Sequence, residues 1–183
     1  RQPRFAYVIA AVFMLTLLSK PPFLWLTTES VITNRGEQFS FALPDDSNIR
    51  LNAESELTYR SSFNEKSRLV TLSGEAYFDV QSGSHPFIIQ HENVSIQVIG
   101  TRFNVRTIEN KIEVAVNEGI VLVSNEQTGA NPIHLTKGQF ISFDKKESPG
   151  IPELIKYDEY PGWIYNKFIF DRENLSVVCK EIE

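Results

Sequence analysis

The stretch RLVTLSGEAYFDV, Arg68 to Val80, decides how this chain folds. Val70, Leu72, Gly74, Ala76, Phe78 and Val80 hold the even positions, and Thr71, Ser73, Glu75, Tyr77 and Asp79 the odd ones. Apolar residues at every second position mark a strand with one buried face. Glu75 and Asp79 then share the outer face of one straight strand. At about 3.3 Å per residue their Cα atoms lie about 13 Å apart. Retaining glycosidases hold their two carboxyl groups about 5 Å apart, and inverting ones about 6.5–9.5 Å. Both carboxylates are therefore expected to be solvated residues of a structural strand, not an acid/base pair.

Short strands of the same kind run outward from this one in both directions. EQFSFALP (Glu37–Pro44) turns Phe39, Phe41 and Leu43 inward, and a turn at Asp45–Asn48 leads to Ile49, Leu51, Ala53, Leu57 and Tyr59. Downstream, HPFIIQHENVSIQVIGTRFNV (His85–Val105) places Val94, Ile96 and Val98 on even positions but Phe103 and Val105 on odd ones. Parity flips around Gly100–Thr101, which predicts a bulge or a sharp bend there. A second flip separates Ile112, Val114 and Val116 from Val121 and Val123, with Asn117-Glu118-Gly119 between. Gly119 is expected to take the positive φ of a turn or bulge. Further turns are expected at Thr128–Pro132 and Lys137–Gln139, before FISF. Many short strands at this spacing predict a mainly β domain over residues 27–144. No fixed repeat chooses among sandwich, barrel and solenoid.

The two ends differ from this middle. KKESPGIPELIKYDEYPG (Lys145–Gly162) is rich in proline and charge and reads as a linker or extended strap. From Trp163 onward, KFIF reads as a strand. Asp171 or Asn174 can then cap a helix with Leu175, Val178, Cys179 and Ile182 on one face. That gives an incomplete α+β unit over 163–183. At the other end, Phe5–Ser19 is uncharged and apolar, followed by Lys20, Pro21, Pro22 and the apolar Phe23–Leu26. A signal peptide would need a small-residue cleavage site, which is missing after Leu18. A buried core helix would be apolar along one stripe, not all round. The expectation is one uncleaved transmembrane anchor within residues 1–26, with Lys20 snorkelling and Trp25 at the interface. Arg1 and Arg4 place its start in the cytoplasm and the chain beyond Leu26 outside. The lack of an initial Met implies residues upstream of Arg1.

Composition narrows the function. The chain has 183 residues, a net charge of −5, 42% hydrophobic and 22% charged residues, as a globular chain does. A negative balance argues against nucleic acid as a partner. The single cysteine, Cys179, forms no internal disulfide and no cysteine-based zinc site. On an apolar helix face it reads as a small hydrophobe, not a nucleophile. His85 and His91 are about 20 Å apart along an extended chain at about 3.3 Å per residue, too far for one zinc ion. His134 has no histidine or acidic neighbour. Gly74-Glu75 and Gly100-Thr101 open no helix, so neither forms a phosphate loop. No catalytic, cofactor or metal site is expected.

Six ordered segments carry a resemblance: LPDDSNIRLNAES (Leu43–Ser55), RLVTLSGEAYFDV, HPFII (His85–Ile89), VIGTRFNV (Val98–Val105), VAVNEGIVLV (Val114–Val123) and LTKGQ (Leu135–Gln139). Together they resemble the extracytoplasmic domain of FecR-family anti-sigma regulators, in the form common in Bacteroidetes, from about Thr33 to Phe143. One departure stands out: Asp46 occupies a place usually held by glycine, which puts that turn's geometry in question. The resemblance implies a solenoid-like or twisted-sandwich β domain behind a single transmembrane helix in the inner membrane. The tail from Trp163 looks like the start of a secretin/TonB short N-terminal-type domain. The function implied by the resemblance is a relay. A TonB-dependent outer-membrane receptor would offer its signalling domain to the region from Trp163 to Glu183. An intramembrane protease would then free the cytoplasmic part and its extracytoplasmic-function (ECF) sigma factor. The competing reading is a membrane-anchored periplasmic carbohydrate-binding module using Tyr59 and Tyr77.

Overall fold

The computed structural model describes residues 27–64, 67–157, 159–167 and 169. In chain order the strands are β1 (Thr28–Ile32), β2 (Phe39–Ala42), β3 (Asn48–Leu51), β4 (Glu56–Arg60), β5 (Arg68–Asp79), β6 (Phe87–His91) and β7 (Val94–Val98). They continue as β8 (Arg102–Ile108), β9 (Lys111–Glu118), β10 (Ile120–Asn125), β11 (Ile133–Thr136), β12 (Gln139–Asp144) and β13 (Glu153–Leu154), with a 3-10 turn at Gly162–Tyr165. The mainly β expectation holds. The expected anchor and the expected helix after Asp171 lie outside the described residues. Among the described residues, no helix is long and apolar enough to cross a membrane.

The alternating strand β5 is the hinge of the fold. Its first half pairs with β4 and, in parallel, with β6; from Gly74 onward it pairs with β3 and β8. One sheet therefore runs β11-β10-β7-β6-β5-β8-β9-β12-β13, with β4–β1 and β3–β2 attached to the two halves of β5. β5 is not straight, as the sequence suggested, but bends at Gly74, whose φ is +93°. A Cβ there would lie 2.7 Å from the Ser55 Cα, so the link from β3 to β4 crosses directly over the bend. Only glycine combines that backbone angle with that closeness.

A second crease gathers the other crossings between the halves. Val80 N–H donates to the Thr101 carbonyl (3.0 Å), and Thr101 Oγ1 donates to the Ile120 carbonyl (3.1 Å). Gly119, with φ +90°, packs against Thr101. The two parity flips fall here. At the first, β7 hands over to β8 on the other half, a bend with no bulge. At the second, Arg102 faces Glu118 while Phe103 faces Val116, so Asn117 is the extra residue of a bulge. The result is one curled sheet whose halves close on a shared core; β5–β6 is its parallel pairing. Aromatic contacts run through it from one half to the other, Phe103–Phe78 stacked at 5.1 Å, then Phe78–Phe87 (5.9 Å) and Phe87–Phe63 (6.0 Å).

Asp46 resolves the doubtful turn. It takes the left-handed conformation itself (φ +63°), and Leu43 N–H still bonds to the Ser47 carbonyl at 2.9 Å. Aspartate is among the few non-glycine residues that visit this region. Glu75 requires a correction. Parity puts it on the outer face, as expected, yet it is only 8% exposed and not solvated. The strap from the chain's C-terminal part lies over it.

Candidate functional site

Two polar assemblies organise the molecule, and both begin in β5. The first is Arg68, which shares even parity with Val70 and Leu72 and so points into the core, 1% exposed. Its guanidinium pairs with Asp45 at 3.1 Å and donates to the carbonyls of Gln81 (2.7 Å), His85 (2.8 Å) and Ile99 (3.1 Å). It also lies 5.8 Å from the centre of the Phe87 ring. Asp45 in turn accepts the Ser47 N–H and hydroxyl, and Ser47 Oγ accepts the Gln81 N–H. A buried guanidinium is tolerated only when its donors are matched in this way. The Leu43–Ser47 turn, the start of β5 and the crossing to β6 are thereby tied to one cation. Its role is structural.

The second assembly lies on the outer face, under the strap. Glu75 Oε1 accepts from Asn104 Nδ2 (2.8 Å) and from the indole Nε1 of Trp163 (2.8 Å), while Oε2 accepts from Asn52 Nδ2 (2.9 Å). Arg106 Nε stands 3.8 Å from Oε2. Arg50, beside it on β3, donates to the Ile164 carbonyl at 2.9 Å and lies over the Trp163 ring at 5.4 Å. Further along, Ile155 N–H bonds to the Gly138 carbonyl, Asn117 Nδ2 donates to the Tyr160 carbonyl at 2.7 Å, and Tyr160 meets Phe140 edge to face. The stretch expected as a linker or strap thus contributes β13 to the outer surface and leads into a 3-10 turn at Gly162–Tyr165. Trp163, the first residue of the expected partner-binding region, is seated on the β domain.

Burial shifts three titratable side chains on the two halves. Burial pushes the Glu113 carboxyl above its ordinary value; Arg106 opposes the rise and Glu75 adds to it. Burial likewise raises the Tyr77 hydroxyl, with Tyr165 near enough to add to the shift. Tyr59 is pushed up to about 12, first by burial and then by its hydrogen bond to Glu29. Tyr59 and Tyr77 do not make one platform. Tyr59 packs against the core beside Phe63, whereas Tyr77 lies on the outer face of the other half.

The remaining sequence candidates are dispersed. His91 Nδ1 meets the Leu72 carbonyl at 2.9 Å and His85 Nδ1 the Ser84 hydroxyl at 3.1 Å. His134 sits on β11 opposite Leu122. Among the described residues no group of histidine, cysteine or acidic side chains could hold a metal. Cys179 and the rest of the tail beyond Ile169 lie outside the described residues. Sequence reasoning missed Arg68, although its even position was the signal. It also missed the Trp163–Glu75 bond, for which 88 residues of separation leave no local signal.

Comparison with known proteins agrees with this geometry. Residues 29–122 match the family described as FecR protein. Two crystal structures of a proposed anti-sigma factor from Parabacteroides distasonis are similar, each at 25% identity, with TM-scores of 0.75 and 0.74. The likeness covers 85% and 84% of this chain, and 73% of the other in both cases. No curated protein matches this chain.

Proposed function

The chain belongs to the FecR family, and from that premise we propose that it relays a signal from a TonB-dependent outer-membrane receptor to an ECF sigma factor. The family is regulatory, which accords with the structural role of Arg68. In this reading the β domain stands outside the inner membrane behind a single-pass anchor within residues 1–26. The region from Trp163 meets the receptor's signalling domain, and intramembrane proteolysis releases the sigma factor with the cytoplasmic part. The observation that carries the reading is the family match over 29–122, with its ordered motifs falling on the joints of the fold. Leu43–Ser47 holds Arg68, Gly74 is the bend, and Gly119 is the corner.

Two measurements test it. A reporter active only outside the cytoplasm, fused after Phe143 in the full-length protein, should be active. Activity from a cytoplasm-only reporter at that site would reverse the orientation. Affinity purification of the full-length protein from its native cells should bring down an ECF sigma factor; its reproducible absence would remove the relay.

A further inference from the structure

A curled sheet that does not close has edges, and among the described residues one of them is unfinished. The outermost strands are β1, β2, β11 and β13. β1 carries Glu29, β11 is flanked by Pro132 and Lys137, and β13 has two residues behind Pro152. Charges, prolines and short length blunt an edge against pairing. β2, FSFA, has neither charge nor proline within it.

Its core-facing side is incomplete as well. Phe39 faces inward opposite Leu51, which is fully buried, yet Phe39 is 48% exposed and stacks on Phe41 at 6.0 Å. The inward row runs off the edge with a ring uncovered. The backbone phase is fixed by the Leu43 N–H bond to the Ser47 carbonyl. Alternation along an antiparallel ladder then aims the N–H and C=O of Phe41 and Phe39 at β3, and those of Ser40 and Ala42 away from it. On the outer face the edge adjoins a cleft of about 260 Å³ lined by Ser40, Ala42, Asn48, Arg50, Tyr77 and Asp79. Arg50 links that cleft to the strap through Ile164.

We propose that the β2 edge takes an extended segment of a partner protein as an added strand. Its backbone would pair with Ser40 and Ala42, its inward side chains, aromatic or β-branched, would cover Phe39 and Phe41, and its outward ones would lie beside the cleft. Such strand addition draws affinity from main-chain bonds and specificity from alternate side chains. A second copy of this chain is the weaker occupant. The four residues of β2 cannot by themselves supply the roughly 800 Å² per partner that a stable interface buries. A partner that also grips the adjoining strap can use so short an edge. The inference rests on the proposed relay, in which a receptor's signalling domain meets this side of the protein.

Amide hydrogen exchange on the full chain tests it, with the cognate receptor's signalling domain as the first probe. In the free chain Ser40 and Ala42 should exchange much faster than Phe41. Saturating signalling domain should slow both at least tenfold. Ser40→Pro removes only an outward N–H, and Phe39→Lys charges the uncovered ring position; each should weaken binding about tenfold while Phe41 stays protected. Undiminished binding by both variants, with no protection at Ser40 and Ala42, overturns the edge and leaves the receptor reading standing. If the signalling domain does not bind at all, the receptor reading fails. The capped peptide Lys-Val-Thr-Val-Thr-Val-Lys then probes the edge alone: protection at Ser40 and Ala42 supports it, and none overturns it. Protection that grows with the concentration of the chain by itself would make a second copy the occupant and overturn the partner assignment.

Discussion

Phe78 and Glu75 leave the same strand on opposite faces, yet both are buried. Parity along Arg68–Val80 made their faces legible, because period-2 alternation is local. The cover over Glu75 comes from Trp163, far along the chain, and no window of sequence contains both. The expected cost of substitution changes accordingly. Phe78→Ala should cost about 3–5 kcal/mol, as large core truncations do. Glu75→Gln replaces one of two accepting oxygens with a donor that faces Asn52, so it should cost about 1–3 kcal/mol. Urea denaturation of both variants checks this, and a loss below about 0.5 kcal/mol for Glu75→Gln would return that residue to the solvated class. Glu113 gives a prediction of opposite sign. Its folded pKa is raised above 4.5, so its contribution is fully present below the unfolded value and lost as pH rises through the folded one. At pH 7 the charged carboxylate is a burden. Glu113→Gln should therefore melt higher than the parent at pH 7, with the advantage fading as pH falls toward 4. A lower melting temperature at pH 7 would show that Arg106 outweighs burial.

Elements were legible where the chain signals its own turns. Both parity flips marked true crossings between the halves, one at the bend between β7 and β8 and one at the Asn117 bulge. The bend in β5 left no such mark. Leu72 and Ala76 lie on either side of Gly74 and both stay inward, so the alternation runs through the bend unbroken. At Gly74 the positive φ redirects the backbone without changing the face its neighbours present. Gly74 and Gly129 separate the two penalties of adding a Cβ. Gly129, at φ +62°, has nothing within 4 Å of the new atom, so Gly129→Ala should cost only the left-handed strain of about 1–2 kcal/mol. Gly74→Ala adds a collision with the Ser55 backbone, which sits on the neighbouring crossing and cannot move alone. It should destabilise well beyond Gly129→Ala. Equal denaturation midpoints for the two variants would mean that the bend yields freely.

At the scale of the whole molecule, Trp163 and Ile164 join the C-terminal region to the β domain through Glu75 and Arg50. Trp163 contributes one hydrogen bond to a carboxylate, worth about 1.5–3 kcal/mol. Arg50 over its ring adds about 0.5–2 kcal/mol. When Trp163 leaves, Glu75 keeps Asn52 and Asn104 and meets water, so no charge is stranded. In the proposed relay, a partner gripping the region from Trp163 competes with these two contacts and with the Arg50 bond to the Ile164 carbonyl, while Arg68 and the aromatic core hold the sheet. The strap should therefore separate before the domain unfolds. Trp163→Phe keeps a ring under Arg50 but loses the N–H, and Trp163→Ala loses both. Trypsin cleavage at Lys156 and Lys167 should accelerate in the order parent, Phe, Ala, while the main unfolding transition stays within a few degrees of the parent. A main transition that falls with the cleavage rate, by the full cost of a core truncation, would make the strap part of the cooperative fold and end its use as a separable link.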